Sequence, residues 1–317
     1  MLARTADHLY WMARFIERAE SLARMLDAHY RHSLLPHAPD IVARDWRATL
    51  NSLGVLEAYT ARHDDVVPSL AFNFLTFDRD HPGSIVSCLR QARENARAVR
   101  GTITSEMWET LNATWIESRQ YESANTDHDV GDFLEWVRYR AHLSRGVTLG
   151  TMLRDEAFRF FRIGTFLEGA DATARMLLAR ARPKLAPSDE AAGPDAYTWT
   201  LLLRSLSAFE VYRKVYRDAV TPWRVTELRV LRDDLPRSLG RCTIEVYENL
   251  RAVANDQSAE TERRAGELQS MFHFGRLEHL VAPGLGTFLE SFLERVRDLG
   301  GRISQDFLVP ATPYLSN

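Results

Sequence analysis

The chemistry open to this chain starts with one run of side chains near its beginning. Arg14, Glu17, Arg18, Glu20 and Arg24 include the pairs Arg14/Glu17, Arg14/Arg18, Glu17/Glu20 and Glu20/Arg24, three or four residues apart, the spacing that puts side chains on neighbouring positions of a helix surface. A guanidinium is planar, carries five N–H donors and keeps its charge at any working pH, so it grips a carboxylate or phosphate through two bonds at once. A second set, Arg93, Glu94 and Arg97 around Asn95, has the same make-up. If the two helices pack together, Arg14, Arg18, Arg93 and Arg97 line one cleft with Glu17 and Glu94. The cations then outnumber the acids, and a half-buried surplus needs an anion or solvent to offset it. The expected ligand of that cleft is a peptide carboxylate or a phosphate. Glu and Arg make poor general acids and bases near neutrality, since neither ordinarily titrates there. Acyl or amide transfer by these clusters is therefore the alternative to a binding function, and no catalytic residue is assigned.

Other chemistries lack their residues. The ten histidines show neither Glu-x-x-His nor His-Glu-x-x-His spacing, the patterns of di-iron bundles and zinc proteases. Asp64-Asp65 and Asp233-Asp234 do not continue into Asp-Asp-x-x-Asp, and no phosphate loop of the G-x-x-x-x-G-K-[ST] type occurs. No metal or cofactor is expected. Cys88 and Cys242 lie far apart and read as small buried residues, which fits a reducing cytoplasm. A net charge of −3 gives no case for nucleic acid. No run of 18 apolar residues offers a membrane span. Only Lys184 and Lys214 among the 40 basic residues are lysines. Codon bias and a preference for multi-donor anion contacts both explain that, and composition does not choose.

The elements that must hold these residues are helices. Leu9, Met12, Phe15, Ile16, Ala19, Leu22, Ala23 and Leu26 fall on one arc at 100° per residue, with Arg14, Glu17, Glu20, Ser21, Arg24 and Asp27 opposite. Similar runs span about 43–62, 83–100, 105–122 and 130–150, then about 155–182, 196–218, 237–254, 258–279 and 286–307. The stretches 64–82 and 183–195 are the main breaks, and no alternating strand pattern survives; the nearest, Ala71–Phe77, lies inside a loop-like stretch. With 317 residues and 45% hydrophobic content, an all-α protein of this size needs no disulfide to stabilise its core.

The pattern repeats. Phe15-Ile16-Glu17-Arg18 pairs with Phe166-Leu167-Glu168-Gly169, and Ala23-Arg24-Met25-Leu26 with Ala174-Arg175-Met176-Leu177. Trp46, Leu50, Glu57 and Tyr59 recur as Trp199, Leu203, Glu210 and Tyr212. Ser84, Cys88 and Asn95 recur as Ser238, Cys242 and Asn249, and Phe133-Leu134-Glu135 as Phe288-Leu289-Glu290. Chance supplies one such block, hardly several in order. The expectation is a tandem duplication, 1–151 and 152–317, of about five helices each, packed as one body through a quasi-twofold relation.

Acids that recur on apolar helices belong inside, and buried charges need partners. Glu20, Arg24, Glu168, Asp171 and Arg175 are thus candidates for a structural ion network; a solvated face and a ligand site are the other readings. Charges present in only one copy suit a specialised site. Arg14, Arg18 and Arg93 are matched by Thr165, Gly169 and Tyr247, so only one cleft is expected to bind. Asn95 and Asn249, poor helix formers in mid-helix, call for a specific hydrogen bond.

The run Leu9-Tyr10-Trp11-Met12-Ala13-Arg14-Phe15-Ile16-Glu17-Arg18-Ala19-Glu20 resembles the Alpha-E family, a bacterial all-helical group with a Glu-Arg motif. The likeness extends through Phe77-Asp78-Arg79-Asp80, the Cys88–Arg97 stretch, and Met152-Leu153-Arg154-Asp155 leading into Phe166-Leu167-Glu168. The second copy departs from it, reading Glu168-Gly169 where a Glu-Arg pair is expected. The resemblance implies proximity to ATP-grasp amide ligases and to transglutaminase-like and proteasome-like proteins. It implies a role in peptide synthesis or modification as a non-catalytic partner, with homo-oligomers open.

Overall fold

In the computed structural model, residues 1–33, 39–122, 129–181, 185 and 194–308 are described. Among them the regular structure is all helical. The first part holds α1 (Ala3–Ser33), α2 (Pro39–Ser52), α3 (Leu56–Thr60), α4 (Pro68–Thr76), α5 (Ile85–Ala98), α6 (Ser105–Glu122) and α7 (Asp129–Thr151). The second holds α8 (Glu156–Leu178), α9 (Pro194–Ser205), α10 (Phe209–Tyr216), α11 (Pro222–Val230) and α12 (Leu239–Ala252). It ends with α13 (Ala259–His273), α14 (Leu277–Leu280) and α15 (Leu285–Phe307).

The centre is the pair α1 and α8. Helix α1 packs on α8, α5, α7 and α9, while α8 packs on α12 and α15. Helices α6 and α13 complete the outer layers against α5 and α7 and against α12 and α15. Their sequences explain the placement. Buried Phe158, Phe160, Phe161, Ile163, Leu167 and Leu177 leave α8 with no single apolar stripe, which suits a helix surrounded on all sides. Its start is set by Asp155, whose carboxylate accepts from Phe158 N at 3.2 Å. The two helices touch where side chains vanish. A Cβ on Gly164 would stand 2.3 Å from the Tyr10 carbonyl oxygen and 3.1 Å from Ala13 Cβ, so only glycine allows this crossing.

Three local expectations change. The stretch 64–82 is not one break, because Pro68 opens α4 and buries Ala71, Phe74 and Leu75. The run 43–62 divides at Gly54, whose φ of 74° ends α2 before α3. Short helices thus raise the number in each part above five. Most of the second break, 183–195, lies outside the described residues. Of the two prolines whose positions in the sequence end the first helical run, Pro36 also lies outside them and Pro39 opens α2.

Candidate functional site

Two matched glutamates stand on facing helices, Glu17 on α1 and Glu168 on α8, both buried. Glu168 is held by one neighbouring helix. Arg14 Nε donates to its Oε2 at 2.7 Å, and Arg18 donates from Nε to Oε1 at 2.6 Å and from Nη2 to Oε2 at 3.1 Å. Burial opposes its charge, but Arg18 and Arg14 outweigh that and hold the carboxyl down at about 2. Arg14 also donates to Tyr10 Oη at 3.0 Å and lies over the Trp11 ring.

Glu17 is held differently, jointly with Glu20 one turn on. Arg145 of α7 donates from Nη2 to Glu20 Oε2 at 2.5 Å and to Glu17 Oε2 at 3.1 Å. Arg237, in the loop before α12, places Nη2 2.7 Å from Glu17 Oε1 and 2.5 Å from Glu20 Oε2. These are ion pairs by distance, yet neither Glu17 Oε1 nor Arg237 Nη2 has an aligned hydrogen bond. Arg24 donates to Glu20 Oε1 from Nε at 3.0 Å and from Nη2 at 2.7 Å. Burial resists charge on Glu20, but Arg237, Arg145 and Arg24 together keep it far below the usual carboxylate range. Glu17 goes the other way: burial and the adjacent Glu20 charge lift it above the usual value despite Arg237 and Arg145.

Arg237 is aimed by its backbone. Its φ of 65° is left-handed, and a buried arginine beneath it, Arg229, donates to Arg237 O at 2.5 Å and to Pro236 O at 3.2 Å. Arg229 has no carboxylate partner among the described ion pairs, and burial lowers it to about 9. A guanidinium at that depth is stabilised by the carbonyl dipoles it clamps.

A cavity of about 670 Å³ opens beside Glu17. Its walls include Arg24, Arg145, Arg162, Arg237 and Arg241, with Phe161, Phe166, Leu149, Leu206 and Val211. Thr165 and Gly169 line it where Arg14 and Arg18 fill the matched space. A smaller cavity of about 170 Å³ lies beside Glu168, lined by Arg18 and by Gly83, the position matched to Arg237. Gly300, matched to Arg145, would set a Cβ 3.8 Å from Arg14 Nη1.

The arginine cleft expected from the sequence divides into two. Arg14 and Arg18 bind Glu168, whereas Arg93 donates to Asn112 Oδ1 at 3.1 Å and pairs with Glu94, which Arg97 meets at 2.7 Å. Among the described residues no ion pair joins the sets. The cause is helix rotation: Arg93 faces α6, with its guanidinium 5.7 Å from the Trp108 ring centroid, while Arg14 and Arg18 face α8. Asp171 pairs with Arg175 at 2.6 Å, and Arg175 crosses to Ser52 O at 2.8 Å. Its match Arg24 crosses to Ser205 O at 3.3 Å. The paired asparagines do the same work twice, His8 to Asn95 Oδ1 at 2.8 Å and Arg159 to Asn249 Oδ1 at 3.1 Å. Both thiols are buried and pushed up to about 12 by that burial. Sequence reading missed Arg145, Arg229 and Arg237. Their signal was present: Gly300, Leu75 and Gly83 stand at the matched positions.

Among the described residues no group of three or more His, Cys, Asp or Glu side chains could hold a metal ion, and no helix is long and apolar enough to cross a membrane. A family model, Alpha-E, described as a predicted alpha-helical domain with a conserved ER motif, matches residues 1–308. Uncharacterized proteins of Mycobacterium bovis and Mycobacterium tuberculosis are each 28% identical over 92% of this chain. The chain spans 35% of the length of each. No solved structure matches it.

Proposed function

The chain belongs to the Alpha-E family, and from that premise we propose that it is a non-catalytic helical interaction protein. Its partner is an ATP-grasp type amide ligase in cytoplasmic peptide synthesis or modification, with transglutaminase-like or proteasome-like proteins as further members of the system. One observation carries the non-catalytic part. The groups that could do chemistry are engaged: Glu20 and Glu168 are held as carboxylates by arginines, and Cys88 and Cys242 are buried thiols raised to about 12. Groups in that state hold a scaffold together and are poor nucleophiles and bases. Affinity purification of the tagged protein from its native cell should bring down the ligase. Alone it should neither hydrolyse ATP nor join peptides, and robust ligation by the purified chain overturns the reading.

The alternative, acyl or amide transfer, has one observation of its own. Glu17 lines the cavity with its carboxyl raised above the usual value, the direction a general acid needs. A turnover that Glu17→Gln abolishes would decide for it.

We also read the chain as a tandem duplication, 1–151 and 152–317, related by a quasi-twofold axis. Support comes from matched details. Ser84 and Ser238 cap α5 and α12 with φ/ψ of −65°/156° and −67°/154°. Tyr59 Oη donates to Asp65 O and Tyr212 Oη to Ala219 O. Matched Ala13 and Gly164 meet each other, as positions beside such an axis do. A crystal structure in which the two parts superpose helix for helix checks this; a different helix order rules it out.

A further inference from the structure

We propose that the cavity beside Glu17 binds a monoanionic carboxylate carried on a short apolar body. The volume, about 670 Å³, falls in the range of small-molecule sites, roughly 300–1,000 Å³. The walls divide by chemistry. Phe161, Phe166, Leu149 and Val211 give an apolar bed, and the guanidiniums of Arg145, Arg237, Arg162 and Arg241 stand round it.

The charges set the ligand. Arg24, Arg145 and Arg237 share Glu17 and Glu20, and Arg162 and Arg241 share Glu245. Each group carries one guanidinium more than its carboxylates. The rim acids Asp233 and Asp234 are exposed, and Asp234 is taken by Arg232 at 2.6 Å. Arg237 is nearly buried and Arg145 and Arg162 are partly so, and a half-buried surplus of positive charge favours an anion. A single negative charge suits it better than a dianionic phosphate, which would also face Glu17, Glu20 and Glu245. Arg237 Nη2 lies 2.7 Å from Glu17 Oε1 and 2.5 Å from Glu20 Oε2 without an aligned hydrogen bond, so the Glu17 side of the wall is held by charge and not by directed bonds.

The matched cavity is the internal contrast. Beside Glu168 the arginines come from the facing helix and occupy the space, leaving about 170 Å³. Beside Glu17 the positions of those arginines are Thr165 and Gly169, and the guanidiniums come from α7 and the loop before α12 instead. The loss of the Glu-Arg pattern at Glu168-Gly169 is thus what opens the site.

Two sources share this chemistry, a short apolar peptide with a free C-terminus and a fatty acid. Calorimetry on the full chain should use N-acetyl-phenylalanyl-leucine, its C-terminal carboxamide, and decanoate. Binding of the free-acid peptide or of decanoate supports the site, and the tighter of the two identifies the source. The carboxamide should bind at least tenfold more weakly than its acid. Gly169→Met puts a side chain in the cavity, where its Cβ meets only Cys242 Sγ at 3.5 Å and Glu17 Oε1 at 3.8 Å; it should weaken binding at least tenfold. Should that variant fail to fold, hydrogen exchange on the unaltered protein decides. Ligand should protect 142–149 and 233–241 and leave 81–91 unchanged. Binding of neither acid, equal binding of the carboxamide, unchanged binding by folded Gly169→Met, or protection elsewhere overturns the proposal. The site rests on the cavity alone, so this test and the ligase purification fail or succeed separately.

Discussion

Glu17 and Glu168 occupy matched places on the two central helices, and their surroundings solve the same problem in opposite ways. Glu168 is closed by Arg14 and Arg18, two side chains of one helix that fill the space they neutralise. Glu17 is reached by long arms from α7 and from the loop before α12, and the space in front of it stays open. A buried carboxylate can therefore be stabilised by plugging its surroundings or by fencing them. The second leaves about 670 Å³ beside its carboxylate and the first about 170 Å³.

The largest effect should come from breaking the plugged side. Glu168→Ala leaves Arg14 and Arg18 buried without a counter-charge, and a loss of about 3–5 kcal/mol is expected, read as a fall in the urea midpoint at unchanged slope. The milder Glu168→Gln and Glu17→Gln pair sharpens the contrast. At neutral pH the first should cost about 3 kcal/mol and the second about 1 kcal/mol, because the arginines lower the Glu168 carboxyl while burial and Glu20 raise that of Glu17. Equal costs would abolish the distinction between the two environments.

The pH profile separates them by sign. The Glu168 carboxyl lies at about 2, below its ordinary 4.5. Its stabilisation is present above 4.5 and is lost as pH falls through 2. Glu17 is raised, so its contribution is present below 4.5 and is lost as pH rises through its own higher value. Relative to the unaltered protein, Glu168→Gln should worsen as pH rises from 2 to 4.5, and Glu17→Gln should improve as pH rises above 4.5. Denaturation series across that range check both. The smallest effect should be at Arg97, largely exposed and paired with Glu94. Arg97→Ala should cost no more than about 0.5 kcal/mol.

The legible part of this architecture was periodic. Apolar residues such as Leu9, Met12, Phe15 and Ile16 repeat at the helical interval and mark the buried face of α1. Acids recurring on such helices pointed inward at Glu20 and Glu168, because a charge among phenylalanines has to be buried with a partner. The identity of those partners was not legible where it depends on tertiary approach. Arg145 and Arg237 reach Glu17 from distant segments, and no local pattern encodes that meeting. The Arg93 and Arg97 side chains failed to join Arg14 and Arg18 for a related reason. Two helices can pack while a quarter-turn decides which neighbour each guanidinium sees. Helix α4 was hidden because nine residues between prolines and aspartates give too short a window for a 3.6-residue period to emerge.

The crossing of α1 over α8 at Gly164 also constrains how the chain reaches its native state. Helical proteins usually fold fast because their contacts are local. Here the innermost contact joins residues about 150 positions apart, Arg14 and Arg18 with Glu168. During synthesis, Glu20 meets Arg24 within its own helix and Arg145 once α7 has formed, but Arg14 and Arg18 have no Glu168 until α8 has followed. The rate-limiting event should therefore be the docking of the two central helices. Refolding followed by a probe at Trp11, beside Arg14, should lag behind the recovery of helix content.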